Sequence, residues 1–432
     1  MGAVLFVWGV CASLLVSMIH FVTIYGTNLP FYDEWEMIPR LLGDEPITAE
    51  WLWSQHNEHR IVIGRLIYIA ATRMANYDFR AGMFVNVAIL AASAAGLIHF
   101  MRRLRGYTDF TDAFFPLLLL HWGQAENLVW GFQITFVFGT GLAILILCLL
   151  ATPGRLSVRR GMLLASCAAL CPLVGGTGLG FVPALFLCVL VVAWETSKGA
   201  SKQRRQAMGI LAIGALSVVL AALYFTHYAR PAKHPFNANL EGMVQGALRI
   251  TGMGLGAATK RYWSVIKVPL IIALASTALV LARNGRARAL RLLLFIGAVL
   301  SVALGIAWAR TAVLPSAILV SRYATVVAPI WCAVYFAFQL CLNKSRRTLA
   351  HTLLFLTAGL SFAKNRQVGI REAVYLNDIR SAVLTDVVDG KTVSEIVERH
   401  HEDMYHAGPD AFGDRLRLLR KYGVGVFTHM RD

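Results

Sequence analysis

Charge is what this chain has least of: 15% of its 432 residues are Asp, Glu, Lys or Arg, against 57% hydrophobic residues and a mean hydropathy of +0.59. That scarcity excludes a soluble globule and reads as a polytopic membrane protein. Acidic groups are the rarer sign, 24 against 41 basic residues. The seven cysteines all fall inside apolar runs, so the sequence holds no extracytoplasmic disulfide framework and no metal-spaced Cys/His set. Internal repeats, low-complexity tracts and a nucleotide-sugar domain are absent too.

The apolar runs predict an all-α chain with eleven spans, at 3–25, 82–101, 108–123, 130–151, 161–175, 180–195, 208–226, 264–282, 291–309, 323–342 and 349–363. The first lacks a basic leader and runs into Asn28-Leu29-Pro30 without a small-x-small cleavage site, so it is expected to stay as a signal anchor. Basic clusters fall between every second pair of spans: Arg102/Arg103/Arg105, Arg155/Arg159/Arg160, Lys198/Lys202/Arg204/Arg205, Arg283/Arg286/Arg288/Arg291 and Lys344/Arg346/Arg347. All five can therefore be cytoplasmic at once. They hold 17 of the 41 basic residues, and the other 24 balance the 24 acids. The excess is thus topological, placed beside anionic lipid, and no nucleic-acid partner is implied.

This parity puts two long stretches outside, 26–81 and 227–263, while the outward turns near 124–129 and 175–179 are short. It divides the chain into a membrane domain, 1–363, and a small extracytoplasmic tail, 364–432. The tail's His400, His401, Glu402, Asp403 and His406 read as a solvated helix face rather than a metal site. Leu416, Leu418, Leu419, Val424, Val426 and Phe427 give the tail an apolar face to dock outside, where it would cover a site or recognise an acceptor.

The first outward stretch concentrates the groups that chemistry needs. It carries Phe31-Tyr32-Asp33-Glu34-Trp35 and then Gln55-His56-Asn57-Glu58-His59-Arg60. An acid beside apolar rings at a membrane boundary has a raised tendency to hold a proton, which suits Asp33 or Glu34 as a general base; the plain alternative is a solvated loop acid. Residues 48–74 lack Pro and predict an interfacial helix, with His56, Arg60 and Gly64 on one face and Asn57 beside them. Arg65 interrupts the apolar run from Ile61 to Ala71 and requires a partner or an interfacial position. Glu58 and His59 complete the polar set.

Further candidates are scattered. The turn His121-Trp122-Gly123-Gln124-Ala125-Glu126-Asn127, followed by Trp130 and Gln133, is expected to dip below the surface and aim Glu126 at a cavity near the first loop; its structural alternative is a hydrogen-bonded cap. Gly175-Gly176-Thr177-Gly178 lacks a preceding strand and a P-loop lysine, so it reads as a hairpin turn. The small residues of 252–259 with Lys260 and Arg261 suit close packing or a phosphate. Arg310 and the Arg322-Tyr323 pair add outward cations at headgroup depth.

The loop order, long, short, short, long, together with Asp33-Glu34 in the first loop, resembles the C-type membrane glycosyltransferases (GT-C), among them protein mannosyltransferases and aminoarabinose transferases. The resemblance covers about eight spans as architecture and only Asp33-Glu34 as residues. It implies inverting transfer of a sugar from a polyprenyl-phosphate donor to a lipid, glycan or protein hydroxyl at the outer face of the bacterial cytoplasmic membrane. Asp33, with Glu34 second, would be the base; His56, Asn57, Glu58, His59, Arg60, Arg65, Glu126, Gln133, Lys260, Arg261, Arg322 and Tyr323 would bind substrate. No cofactor is required. A divalent cation suits Asp33, Glu34, Glu58 and His59 by ligand type, although their spacing matches no recognised site. Two other readings stay open, a transporter or flippase of a lipid-linked glycan and a ligase or polymerase working from a late loop. The first calls for charge deep in several spans and the second for a longer segment than 310–322.

Overall fold

A computed structural model describes residues 1–230, 239–285, 287–310 and 319–431. Arg286 of the fourth basic cluster, and parts of the outward stretches 227–263 and 310–322, lie outside them. The chain is all-helical, with no strand among the described residues. The long helices are α1 (Gly2–Tyr25), α2 (Val62–Met74), α3 (Ala81–Arg105), α4 (Ile134–Leu150), α5 (Val158–Leu170), α6 (Val182–Ser197), α7 (Ser201–Tyr224), α8 (Leu240–Met253), α9 (Trp263–Asn284), α10 (Ala287–Arg310), α11 (Tyr323–Cys341), α12 (Lys344–Val388), α13 (Val393–Met404) and α14 (Pro409–Lys421).

Seven of the described segments are long and apolar enough to cross a membrane: α1, α3, α7, α9, α10, α11 and the run Gly131–Leu150 that contains α4. The chain is a multi-pass membrane protein. The other four expected spans take different forms. Residues 108–123 break into Phe110–Ala113 and Phe114–Leu119, with Pro116 inside the second. Helix α5 stops at Leu170 before Cys171-Pro172, and α6 has 16 residues. The run 349–363 is the first half of α12, which continues unbroken for 45 residues. The boundary expected at 364 falls inside this helix.

Helix α11 is the hub, buried from Tyr323 to Gln339, and α4, α8, α9, α10 and α12 pack around it. Helices α1, α7 and α9 keep most of their apolar surface outward, as lipid-facing helices do. Close approaches rest on glycine. A Cβ on Gly82 would stand 2.8 Å from the Gly131 Cα, so α3 touches the 131–133 segment backbone to backbone. Gly82→Ala is expected to lower thermal stability by about 1–3 kcal/mol, because neither backbone can yield; a melting curve in detergent checks it.

A buried arginine and a buried asparagine of α12 tie neighbouring segments together. Arg380 of α12 donates to the carbonyls of Leu376 and Val129, reaches the Tyr25 carbonyl, and lies over the Phe31 ring. The Gly252–Thr259 stretch serves packing: Asn365 of α12 donates to the Leu255 carbonyl and accepts from Ala258 N–H, and Gly256 leaves room for it.

Candidate functional site

The segment Phe31–Trp35 folds as a tight turn, not an open loop. Glu34 is fully buried; its Oε2 accepts from the Phe31 N–H at 2.8 Å and its Oε1 from the Phe132 N–H at 3.0 Å. It thus buckles the first loop onto the 131–133 turn. Tyr32 takes a left-handed φ of 44°, and with Glu34 turned inward Asp33 faces a cavity of about 620 Å³.

The expected helix over 48–74 is two helices. Ser54 ends the short helix Ala49–Trp53 with its hydroxyl on the Trp51 carbonyl. Then His56 and His59 pair their backbones at 2.7 and 2.8 Å around a reversal in which Asn57 takes a φ of 49°. The polar run 54–60 favours such local reversal over helix. His56, Arg60 and Gly64 consequently share no helix face.

The reversal sends the two imidazoles into different surroundings. His56 is buried, with Nδ1 2.9 Å from Glu36 Oε2 and Nε2 3.4 Å from Asp33 Oδ1. Burial alone would push this imidazole down; hydrogen bonds and charge from Asp33 and Glu36 outweigh it and carry it up to about 10. Burial would likewise raise Asp33, but His56, Arg322 and His406 hold it below the ordinary carboxylate value. Proton retention, expected for both acids from their apolar neighbours, thus falls on Glu34 alone, which burial pushes up to about 8. His59 is pushed down to about 4 by burial and is neutral at pH 7. It sits against Gly176, where a Cβ would stand 2.9 Å from its Nδ1; the preceding Gly175 turns at φ 113°.

Nine of the expected site residues line the chamber: Asp33, His56, Asn57, Glu58, His59, Glu126, Gln133, Arg322 and Tyr323. Glu126 accepts from the Arg322 backbone N–H at 3.0 Å and its guanidinium at 3.2 Å; Glu58 pairs with Arg310, a second lining cation. Glu34, Arg60, Arg65, Lys260 and Arg261 do not line it. Arg60 is spent on carbonyls, donating to Tyr224, Trp53 and Thr226, and so staples the first loop to the end of α7. Arg65 caps the end of Ala49–Trp53 through the Trp51, Leu52 and Ser54 carbonyls and lies over the Trp51 ring. Lys260, whose ammonium burial pushes down, feels Glu372 and Glu126 from behind the chamber, and Arg261 is exposed.

A second cavity of about 640 Å³ adjoins the first and shares Glu58, His59, Phe136, Gly176, Thr177, Arg310 and Tyr323 with it. Its remaining wall is mostly apolar, with Leu179, Val182 and Pro183 from the α5–α6 side, Ala221 from α7 and Phe225 just after it, and Val302, Ile306 and Trp308 from α10. A carboxylate-lined chamber thus opens into a greasy groove between apolar helices, with the Arg310–Glu58 pair and His59 at the junction.

Sequence reasoning missed Glu36 and His406. Glu36 stands three residues after Asp33, one helical turn on, and that spacing was the available signal. His406, expected on a solvated helix face of the tail, instead lies in the loop after α13 and reaches the chamber next to the Tyr32 ring. Asp33, Glu36 and His56 also offer one ligand atom each within 4.8 Å of one another. Two carboxylates and an imidazole would suit a borderline divalent ion. No family model, curated protein or solved structure matches the chain.

The buckle is testable apart from any chemistry. Glu34→Ala is expected to cost about 2–4 kcal/mol of stability, since two buried N–H groups lose their acceptor. Glu34→Gln keeps one acceptor and should cost less. Because the folded state holds the Glu34 proton up to about pH 8, the wild type should lose stability as pH rises from the ordinary carboxylate value of 4.5 to that point, and Glu34→Gln should remove this slope. Unfolding monitored between pH 5 and 9 checks both.

Proposed function

We propose that the protein is a membrane glycosyltransferase that moves a sugar from a polyprenyl-phosphate donor to a hydroxyl acceptor at the outer face of a bacterial cytoplasmic membrane. The observation that carries this reading is the joined pair of cavities: a polar chamber with a carboxylate at its wall, continuous with an apolar groove of similar size. A substrate filling both must be amphiphilic, with a polar head and a long apolar tail. The chamber also interleaves the rings of Tyr32, Trp130, Phe132 and Tyr323 with Asp33, Asn57, Glu126 and Gln133. Aromatic faces beside amide and carboxylate groups suit a sugar, which shows C–H faces and hydroxyl edges.

In this reading Asp33 accepts the proton of the acceptor hydroxyl as its oxygen attacks the anomeric carbon. The new C–O bond forms as the bond from the anomeric carbon to the phosphate oxygen breaks, with inversion. The electron pair leaves with the phosphate, whose growing charge meets Arg310 and Arg322. The products are the glycosylated acceptor and polyprenyl phosphate, and the proton on Asp33 passes to water. Glu36 orients His56, and the imidazolium keeps Asp33 ionised and fixed in direction. The resemblance to GT-C enzymes in loop order points the same way.

The test is to incubate purified protein with radiolabelled polyprenyl-phosphate sugars and candidate lipid, glycan and peptide acceptors. A labelled product whose anomeric configuration is inverted is expected. Movement of lipid-linked glycan across vesicles with no new glycosidic bond would replace the enzyme by a transporter.

A further inference from the structure

The C-terminal tail returns to the site. Helix α14 packs against the first loop, with Phe412 edge-on to Trp35 at 4.9 Å, and Lys421 and Tyr422 both reach Asp44 at 3.0 Å. The buried Phe412, Leu416 and Leu419 supply the apolar contact. Between α13 and α14 the chain makes a short loop, 405–408. Tyr405 is buried in it, Gly408 turns at φ 99°, and His406 stacks on Tyr32 with ring centroids 4.5 Å apart and planes 18° apart.

His406 has a different character from the docking residues. It is exposed, so it adds little buried area to the tail, yet it lines the chamber together with Tyr32, Asp33 and Leu376. None of these four lines the apolar groove. The groove side is where an apolar tail fits, which leaves the side of Asp33, Tyr32 and His406 for the second substrate. That side meets water at an exposed ring, so the second substrate enters polar.

We infer that His406 is a positioning residue for the acceptor, and that the acceptor is a carbohydrate whose ring stacks on the outer, exposed face of His406, with Tyr32 backing the imidazole, to bring one hydroxyl to Asp33. This rests on the glycosyl-transfer reading above. A partly wetted ring face selects by stacking, and it disfavours a peptide hydroxyl, which has no ring face to offer. The imidazole and the ring behind it come from residues 374 positions apart, so acceptor choice depends on the tail being docked.

The experiment uses the full chain, a radiolabelled polyprenyl-phosphate sugar, and two acceptor sets, soluble oligosaccharides and serine peptides. Wild type is expected to glycosylate the oligosaccharides. His406→Ala should raise the oligosaccharide KM about tenfold, the loss of a stacking contact worth about 1.4 kcal/mol, with the donor KM and kcat within about twofold of wild type. His406→Phe, which keeps a ring, should return the KM to within about threefold of wild type. Phe412→Ala, which loosens the tail from Trp35, should shift the acceptor KM in the same direction without touching the chamber. An unchanged acceptor KM in His406→Ala, an equal rise in donor and acceptor KM, or a preference of wild type for the peptides overturns the inference while leaving glycosyl transfer standing. A wild type that transfers sugar to a lipid acceptor and to neither set overturns the inference alone, and one that transfers to no lipid, glycan or peptide acceptor overturns both readings.

Discussion

Asp33→Asn is expected to lower turnover by about 10²- to 10⁴-fold, the range of a positioned general base, with the fold retained at a lower melting temperature. The side chain is partly exposed in the chamber, and its close partner among the described residues is the buried His56, so the amide removes one of the two carboxylates that hold the imidazole charged and none of the bonds that Glu34 makes. The pH profile follows from the same pair. Asp33 is held below its ordinary value, so the acid limb of activity should lie on the acid side of an ordinary aspartate, and the carboxylate should be ionised at neutral pH. His56 titrates at about 10, so the alkaline limb should appear as pH rises through 10 and the imidazolium is lost. For stability the signs are opposite. The His56 contribution is complete below its ordinary 6.5 and disappears through 10; that of Asp33 is complete above its ordinary 3.8 and disappears as pH falls through its lower folded value. Glu36→Gln should move the alkaline limb toward neutrality, because one of the two carboxylates holding the imidazole charged is gone. Initial rates from about pH 2 to 11 for wild type and both variants check this.

The second large effect is expected at Arg322. Arg322→Met should lower kcat by about 10²- to 10³-fold, the cost of removing one preorganised group facing transition-state charge. It also strands Glu126, which burial leaves only 14% exposed; the stability loss should stay below the about 3–5 kcal/mol seen when a fully buried pair is broken. A double variant, Arg322→Met with Glu126→Gln, separates the two effects. It should recover stability, since no charge is left alone, and it should not recover turnover. Recovery of turnover with the fold would mean that Arg322 serves only as a counterion to Glu126.

The sequence shows where chemistry concentrates better than it shows which residues perform it. Long apolar runs reveal α1, α3, α7, α9, α10 and α11, because a span must satisfy its backbone internally and be greasy along its length. Asp33, Glu126 and Arg322 stand out locally as charges beside short apolar runs. Their convergence does not, since the Glu126–Arg322 pair joins positions 196 apart. Arg60 and Arg65 mislead for a definite reason: a guanidinium next to a membrane reads as a phosphate ligand, while here each satisfies carbonyls at helix ends, a use with no sequence signature. Asp33 and Glu34 are adjacent and chemically alike, and only the left-handed turn at Tyr32 sends one into the chamber and the other into the core. The length of α12 is illegible to hydropathy for another reason. Its apolar half ends near Phe362, but nothing there breaks a helix, so the backbone continues to Val388 and carries the tail toward the first loop.

The most direct measurement is photocrosslinking with a polyprenyl phosphate that carries one diazirine near the phosphate and, in a second probe, one far along the chain, followed by mass spectrometry of the labelled peptides. The head probe should label residues around Arg310, Arg322 and His59, and the tail probe should label the groove at Pro183, Phe225 and Trp308. Arg322→Met should weaken the head labelling. Labelling confined to the outer faces of α1, α7 and α9, with excess unlabelled polyprenyl phosphate failing to compete, would contradict a lipid-linked sugar in the joined cavities.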